Sequence, residues 1–547
     1  MLLRTLGLAG LALPLTVLAN GKAGEQTVGK RVAIIGAGAA GSSAAYHLAQ
    51  NAAQASIPSK IDVYERAAHI GGRSTTINAW NDTRYSVELG ASIFVAVNHI
   101  LANASRDFGL RTADHDIYDS AGMPDLGVWN GKEFVFTMTN EGGWWDMTKL
   151  FWRYRYAPVK TNALMKETVG KFLNMYEEPV FPFLSLSQAV RDVGLVEVTG
   201  LTGEQYLEQK GAGGLFAEEI VQASTRVNYA SNLDNIHGVE TMVCMAANGA
   251  MQIEGGNWKI FDHMLSSSST ISTHLNNTIS HITKQANGTY TLRLSSSNST
   301  HTYDEVILAS PLQFSNLSIN PAPRHVPDAI PYVNLHVTHF ATPLKLDPKA
   351  FGLKEGAAVP ETVLTTVAKG ESGRGRNETD NGSTGFFSIS IVKSGVNPRS
   401  AVPRPEYIFK IFSDRRVDAA FLTKYLGVEV TDYEVEYGNP DGNVSWIHHK
   451  LFHSYPHEFP RVTFDEIALD DHLWYTSGME SFISTMETSA LMGKNVAKLI
   501  VNEWLEKKEN EEDEGLKVQG GPDWKYEALD KQKVLGQQPQ KPMRAKL

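Results

Sequence analysis

The spacing of apolar and polar positions changes period twice within the first forty residues after position 30. A run rich in β-branched residues, Arg31-Val32-Ala33-Ile34-Ile35, passes through Gly36 into an alanine-rich stretch at 39–50, and a second apolar run follows at Ile61-Asp62-Val63-Tyr64-Glu65. This predicts strand, tight turn, helix and strand. Residues 92–110 read as a further helix, and 119–135 as short strands with a hairpin signal at Asn130-Gly131. Between 142 and 178, aromatic and Met residues recur at helical spacing: Trp144, Trp145, Met147, Leu150, Phe151, Tyr154, Leu164, Met165, Phe172, Leu173, Met175 and Tyr176. Such a stripe packs helices together and can also wall an apolar cleft. Helices are expected at 186–193, 202–209, 215–227 and 258–265, then, after a serine-rich linker, strands at 278–283, 290–294 and 303–308. Strands dominate 316–470, at 333–340, 361–367, 386–392 and 407–412, with a mobile loop expected at 370–385. A last strand running to Gly478 precedes a helix whose apolar set Ala490, Ala497, Ile500, Val501 and Trp504 has the period to lie on a sheet.

With 547 residues the chain exceeds one ordinary core, so two domains, interleaved or not, are expected. Hydrophobic content of 42% and charged content of 20% are those of a globular protein. A net charge of -10 gives no basic footprint for nucleic acid. Much of the acidity lies in the run 506–514, read as solvated and disordered. The first twenty residues have the form of a secretory signal, with Arg4, an apolar run at 6–18 and Val17-Leu18-Ala19 before Asn20. No later stretch approaches eighteen apolar residues, so no transmembrane segment is expected. Sequons at Asn81, Asn103, Asn276, Asn287, Asn298, Asn316, Asn377, Asn381 and Asn443 suit an N-glycosylated surface. Cys244, the one cysteine, excludes an intrachain disulfide and reads as a buried small hydrophobe. His448, His449, His453 and His457 have no metal-ligand spacing and read as structural.

The candidate chemistry begins in the first turn. Gly36-Ala37-Gly38-Ala39-Ala40-Gly41 places a G-x-G-x-x-G between strand and helix: Gly36 for the turn, Gly38 for close approach of a pyrophosphate, Gly41 for helix packing. Glu65, ending the second strand, stands where an acid accepts from an adenosine ribose. Gly71-Gly72-Arg73-Ser74 then supplies a second close backbone approach with an arginine to pair a diphosphate. This pairing of elements resembles amine-oxidase-like and carotenoid-desaturase-like flavoproteins, which favours FAD over NAD.

Taken together, residues 32–41, 63–74, 255–257 and 478–497 resemble the prenylcysteine oxidase family, over most of the chain from about 30 to 504. The resemblance implies an α/β fold in which a Rossmann-like FAD-binding domain is interleaved with an α+β substrate domain. The implied division is a signal peptide at 1–19; FAD-binding parts at 30–115, 236–315 and 471–505; substrate parts at 116–235, mainly helical, and 316–470, strand-rich; and a charged, disordered tail at 506–547. The cofactor-binding set it carries over is Gly36, Gly38, Ala39, Ala40, Gly41, Glu65, Arg66, Gly72, Arg73, Ile279, Gly478, Met479, Glu480 and Met486, with Gly255, Gly256 and Asn257 near the flavin ring and Glu487 in the same closing motif. The implied activity is oxidative cleavage of farnesyl- or geranylgeranyl-cysteine with O2, in a secretory-pathway, lysosomal, vacuolar or secreted enzyme. Because flavin accepts the hydride and water traps the resulting cation, no protein acid or base is named. An apolar cleft is required, and the stretch 144–176 is its expected wall. An amine or polyamine oxidase, or a non-enzymatic prenyl-binding escort, would share this architecture.

Overall fold

The computed structural model describes residues 29–113, 123–139, 150–247, 249–297, 299–368 and 382–519. The expected strand–turn–helix–strand is Lys30–Ile35, Ala39–Gln54 and Ser59–Tyr64. These two strands pair in parallel within a six-stranded sheet whose order is Ala468–Asp470, Leu473–Tyr475, Glu305–Leu308, Lys30–Ile35, Ser59–Tyr64 and Ile271–His274. All neighbours are parallel except the first pair. Val32, Ala33, Ile34, Val306 and Ile307 are fully buried, as strands covered on both faces require. The chain thus returns to this sheet in widely separated passes. This is the α/β, Rossmann-like layout expected from the sequence.

A four-stranded sheet, from Ile279–Lys284 to Ser318–Asn320, flanks it. The third large layer is a seven-stranded sheet ordered Trp446–Pro456, Tyr332–Thr342, Pro405–Ser413, Ser388–Val396, Thr362–Thr365, Leu126–Trp129 and Phe134–Met138. One of its faces packs an aromatic core of Trp129, Phe340, Phe351, Phe386, Phe409 and Tyr425.

Five expectations change. The serine-rich stretch is no simple linker, because Ile271–His274 forms the edge strand beside Ser59–Tyr64; its small polar residues hide it from a hydrophobic pattern. The histidine-rich stretch lies on the eleven-residue strand Trp446–Pro456, where His and Lys alternate too irregularly to signal a strand. Helices Ala419–Leu426 and Asp432–Tyr437 interrupt the strand-rich region. The last strand stops at Tyr475, and Ser477–Ser481 is a 3₁₀ turn before helix Met486–Gln519. That helix includes 506–519, expected to be disordered. Glu and Lys are good helix formers, and Glu503 and Lys507 stand at i,i+4 at the start of that stretch. Among the described residues, 29–501 belong to one compact unit and 502–519 to another. The loop expected at 370–385 falls mostly, and the signal segment wholly, outside the described residues.

Candidate functional site

The glycine loop is held by its own backbone and by Glu65. The Ala37 N–H donates to Glu65 Oε2 at 3.0 Å, and the Ala67 N–H to Oε1 at 2.7 Å, so each oxygen keeps a lone pair for a ligand hydroxyl. A Cβ at Gly41 would overlap the Gly36 carbonyl, which explains that glycine by helix packing. Gly38 differs. Its φ of -81° is open to any residue, and an added Cβ would meet only Gly71 O and Gly72 Cα, both at 3.9 Å. Nothing within the chain demands glycine there, whereas a ligand backbone or phosphate lying against it would. The helix behind it has no side-chain cap and no acid in its first turn, which leaves its N-terminal amides suited to an anion.

The second glycine element lies against the first: Gly71 N–H donates to Ala37 O at 2.9 Å. From there Arg73 reaches the third segment. Its guanidinium grips Glu480 bidentately, at 2.7 and 2.8 Å, and donates to Ser454 O at 2.7 Å. The Tyr332 hydroxyl donates to Glu480 Oε2 at 3.0 Å. Burial opposes the charge on Arg73, but Glu480's attraction and hydrogen bonds raise its pKa above the ordinary arginine range. Gly38, Gly72, Arg73 and Glu480 are therefore contiguous. Gly478 and Met479 are buried in the same 3₁₀ turn as Glu480, and Met486 opens the final helix. A cavity of about 150 Å³ beside Tyr332, Tyr475 and Ser477 adjoins this end. It is too small for a dinucleotide or a prenyl chain.

Other expected residues fall less simply. Arg66 donates to Phe314 O at 2.9 Å. The Ile279 side chain is in the core with Tyr64, Leu292 and Tyr303, so only its main chain could face a ligand. Glu487 is turned away: its carboxylate accepts the N–H groups of Ile100 and Leu101, at the start of helix His99–Asp107, and the Tyr176 hydroxyl. It fastens a helix and does not join Glu480.

Gly255, Gly256 and Asn257 sit beside a buried polar group that sequence reasoning missed. Asn257 N–H donates to Glu88 Oε1 at 2.6 Å, and Asn257 Nδ2 to Ala91 O at 3.2 Å. Lys410 Nζ donates to Ser92 Oγ at 2.7 Å. Burial raises the Glu88 pKa and lowers that of Lys410, each offsetting the other's shift. A lone lysine in Tyr407-Ile408-Phe409-Lys410-Ile411-Phe412 was the available signal.

A second buried cluster joins His237, Glu240 and Glu458. A cation does not fit it well. The Glu240 N–H donates to His237 Nδ1, so the neutral ring carries its proton on Nε2, 3.5 Å from Glu458 Oε2. A metal-ligating imidazole keeps a proton on its other nitrogen, and here that position is already an acceptor. Burial raises the pKa of both glutamates, and the proximity of Glu240 raises that of Glu458 further.

The four C-terminal histidines are dispersed. His449 bonds Thr338 and Val435, His453 stacks on Phe314, His457 on Phe459, and His448 pairs across the ladder with His339. Cys244 is buried, which raises its thiol pKa. The aromatic stripe divides: Leu164, Phe172, Met175 and Tyr176 are core, while Phe151 and Trp152 are exposed. Trp152 and Arg153, with residues 134–137, line an open groove of about 520 Å³. Trp144, Trp145 and Met147 lie outside the described residues.

A profile of the prenylcysteine lyase family matches residues 137–514, and one of the NAD(P)-binding Rossmann-like domain matches 34–106. Among curated proteins, the chain is 27% identical over 496 residues to farnesylcysteine lyase of Arabidopsis thaliana, covering 87% of this chain and 89% of that one. It is 29% identical over 520 residues to prenylcysteine oxidase 1 of Bos taurus, covering 88% and 91%. Among solved structures, a triple mutant of putrescine oxidase aligns with a TM-score of 0.53 at 13% identity, over 87% of this chain and 99% of that one. Cyclohexylamine oxidase of Brevibacterium oxydans aligns with 0.52 at 12%, over the same shares. These last two bear on the fold alone.

Proposed function

The chain belongs to the prenylcysteine lyase family, and from that membership we propose that it is an FAD-dependent oxidase cleaving the thioether of farnesyl- or geranylgeranyl-cysteine. Thioether, water and O2 become prenyl aldehyde, free cysteine and hydrogen peroxide. The amine-oxidase alternative rests on a likeness of fold at low identity, whereas the family match spans 137–514. The observation that carries the reading is the convergence of Gly38, Gly72, Arg73 and Glu480 from three segments of chain.

When bound, FAD supplies the two-electron acceptor for the hydride leaving the carbon next to sulfur. The chain's own residues hold and orient. Gly36, Gly38, Ala39, Ala40 and Gly41 would present backbone to the diphosphate, Glu65 would take the ribose hydroxyls, and Arg66 and the Ile279 main chain would border the adenosine end. Gly72, Arg73, Gly478, Met479, Glu480 and Met486 would hold the middle of the cofactor, and Gly255, Gly256 and Asn257 would border its ring. The groove between Phe136 and Trp152 takes the prenyl tail, where burying roughly ten methylenes at ~0.8 kcal/mol each supplies most of the binding.

The secretory route is part of the same proposal. The leader-like start supports it, as do the exposed sequon residues Asn81, Asn103, Asn276, Asn287 and Asn316. Assaying peroxide and aldehyde release from farnesylcysteine and from spermine tests the substrate class. Turnover of farnesylcysteine alone is expected, and turnover of spermine alone overturns it.

A further inference from the structure

The face of the seven-stranded sheet that meets Gly90 and Ser92 carries a row of polar side chains beside Ile408 and Ala341. The antiparallel register sets His339 against Lys410 on one side and against His448 on the other, and Lys410 in turn opposes Ser390. Opposed residues share a face. His339 is fully buried with its ring against the Glu88 backbone, a hydrogen-bonding neighbour, and Glu88 Oε2 is buried without a partner. Native structures leave few such groups unmatched, and those that remain call for an explanation.

The location supplies one. Lys410 Nζ lies 3.5 Å from the Gly90 carbonyl, on the segment where Ala91 N–H donates to Arg73 O and Ala91 O accepts from Asn257. The group therefore touches both the Arg73 element and the Gly255–Asn257 element. On the FAD reading above, we infer that Lys410, with Glu88 as its counter-charge and His339 beside it, is the proton-holding group of the redox site, setting the positive charge that the flavin ring feels as its own charge changes. A ring gaining electrons is stabilised by a nearby cation, and in a water-excluded site that stabilisation is large. The charged and titratable groups facing Lys410 are Glu88 from the strand Ser86–Glu88 and His339 from Tyr332–Thr342, with His448 beyond it. Burial pulls both Lys410 and His339 down, and Glu88 pulls Lys410 back up. Lys410 thus titrates below the ordinary amine range.

The test uses the purified flavin-loaded chain and two readouts other than turnover: flavin absorbance from pH 6 to 10, and the dissociation constant for sulfite, a small anion that oxidised flavin takes up more tightly beside a positive charge. The wild type is expected to show an alkaline spectral transition. Lys410→Met is expected to abolish it and weaken sulfite at least tenfold, and Lys410→Arg to keep sulfite within threefold. Glu88→Gln, removing the counter-charge, is expected to move the transition to lower pH. If Lys410→Met binds flavin with an unchanged transition and sulfite constant, the inference is wrong while the FAD reading stands. If Lys410→Met does not fold, an unmoved transition in Glu88→Gln overturns it. A wild-type chain that takes up no flavin overturns both.

Discussion

In the six-stranded sheet, the residues around the glycine loop are neighbours in sequence as well as in space: Gly36, Gly38 and Gly41 share one turn, and Glu65 directly follows the next strand, Ser59–Tyr64. In the seven-stranded sheet, His339 and Lys410 lie on separate strands and meet only because antiparallel register opposes them. The first site is built by a loop whose geometry fixes the residue types, the second by pairing that any apolar strand could provide. A contiguous motif thus announces itself, while a cross-strand constellation stays silent until the register is known.

The largest test of this contrast falls where the two regions touch. Arg73→Met leaves the Glu480 carboxylate, 5% exposed, without its charged partner and with the Tyr332 hydroxyl still donating to it. The expected loss is about 3 kcal/mol in urea unfolding of the flavin-free chain, together with flavin binding. Stability unchanged within error would show that the pair ties nothing together. Next come the two glycines. Gly41→Ala forces a methyl into the Gly36 carbonyl and should cost about 1–3 kcal/mol. Gly38→Ala should change flavin-free stability by less than about 0.5 kcal/mol, yet weaken FAD on the order of 100-fold by fluorescence titration. Equal effects from both would remove the distinction between a packing glycine and a ligand glycine.

The buried cluster of His237, Glu240 and Glu458 sharpens the comparison through pH. Burial lowers the His237 pKa from 6.5 to about 3, so below 6.5 the unfolded chain binds a proton that the folded chain refuses. Stability falls as pH drops through that window. Glu240 is raised, so the folded chain holds the extra proton and stability falls as pH rises. His237→Asn, which retains a capping acceptor, should flatten the acid limb of a melting-temperature profile. Glu240→Gln should stabilise the chain by on the order of 1–3 kcal/mol on the alkaline side and hardly at all near pH 4. A uniform shift across pH would contradict both. The smallest effect concerns the groove: Trp152→Ala should raise KM for farnesylcysteine roughly fivefold, about 1 kcal/mol, with the flavin spectrum unchanged. An unaltered KM would place the tail elsewhere.

Much of the nucleotide region was readable because periodicity, glycine spacing and a strand-ending acid agree there. The edge strand Ile271–His274 was not, since Ser272 and Thr273 break its apolar run. Glu487 matched a spacing but is consumed by the amides of Ile100 and Leu101, a contact 387 residues away that no local pattern contains. Lys410 and Tyr332 were missed for the same reason. The family resemblance, by contrast, was visible in four short motifs and agrees with the match over 137–514.

The most direct measurement is to mix the flavin-loaded chain with farnesylcysteine in the absence of O2 and follow absorbance near 450 nm, the usual position of the oxidised flavin band (~450 nm). An oxidase of this class loses the oxidised flavin band on mixing and regains it when air is admitted. A band that persists with farnesylcysteine, or with geranylgeranylcysteine in its place, contradicts the assignment.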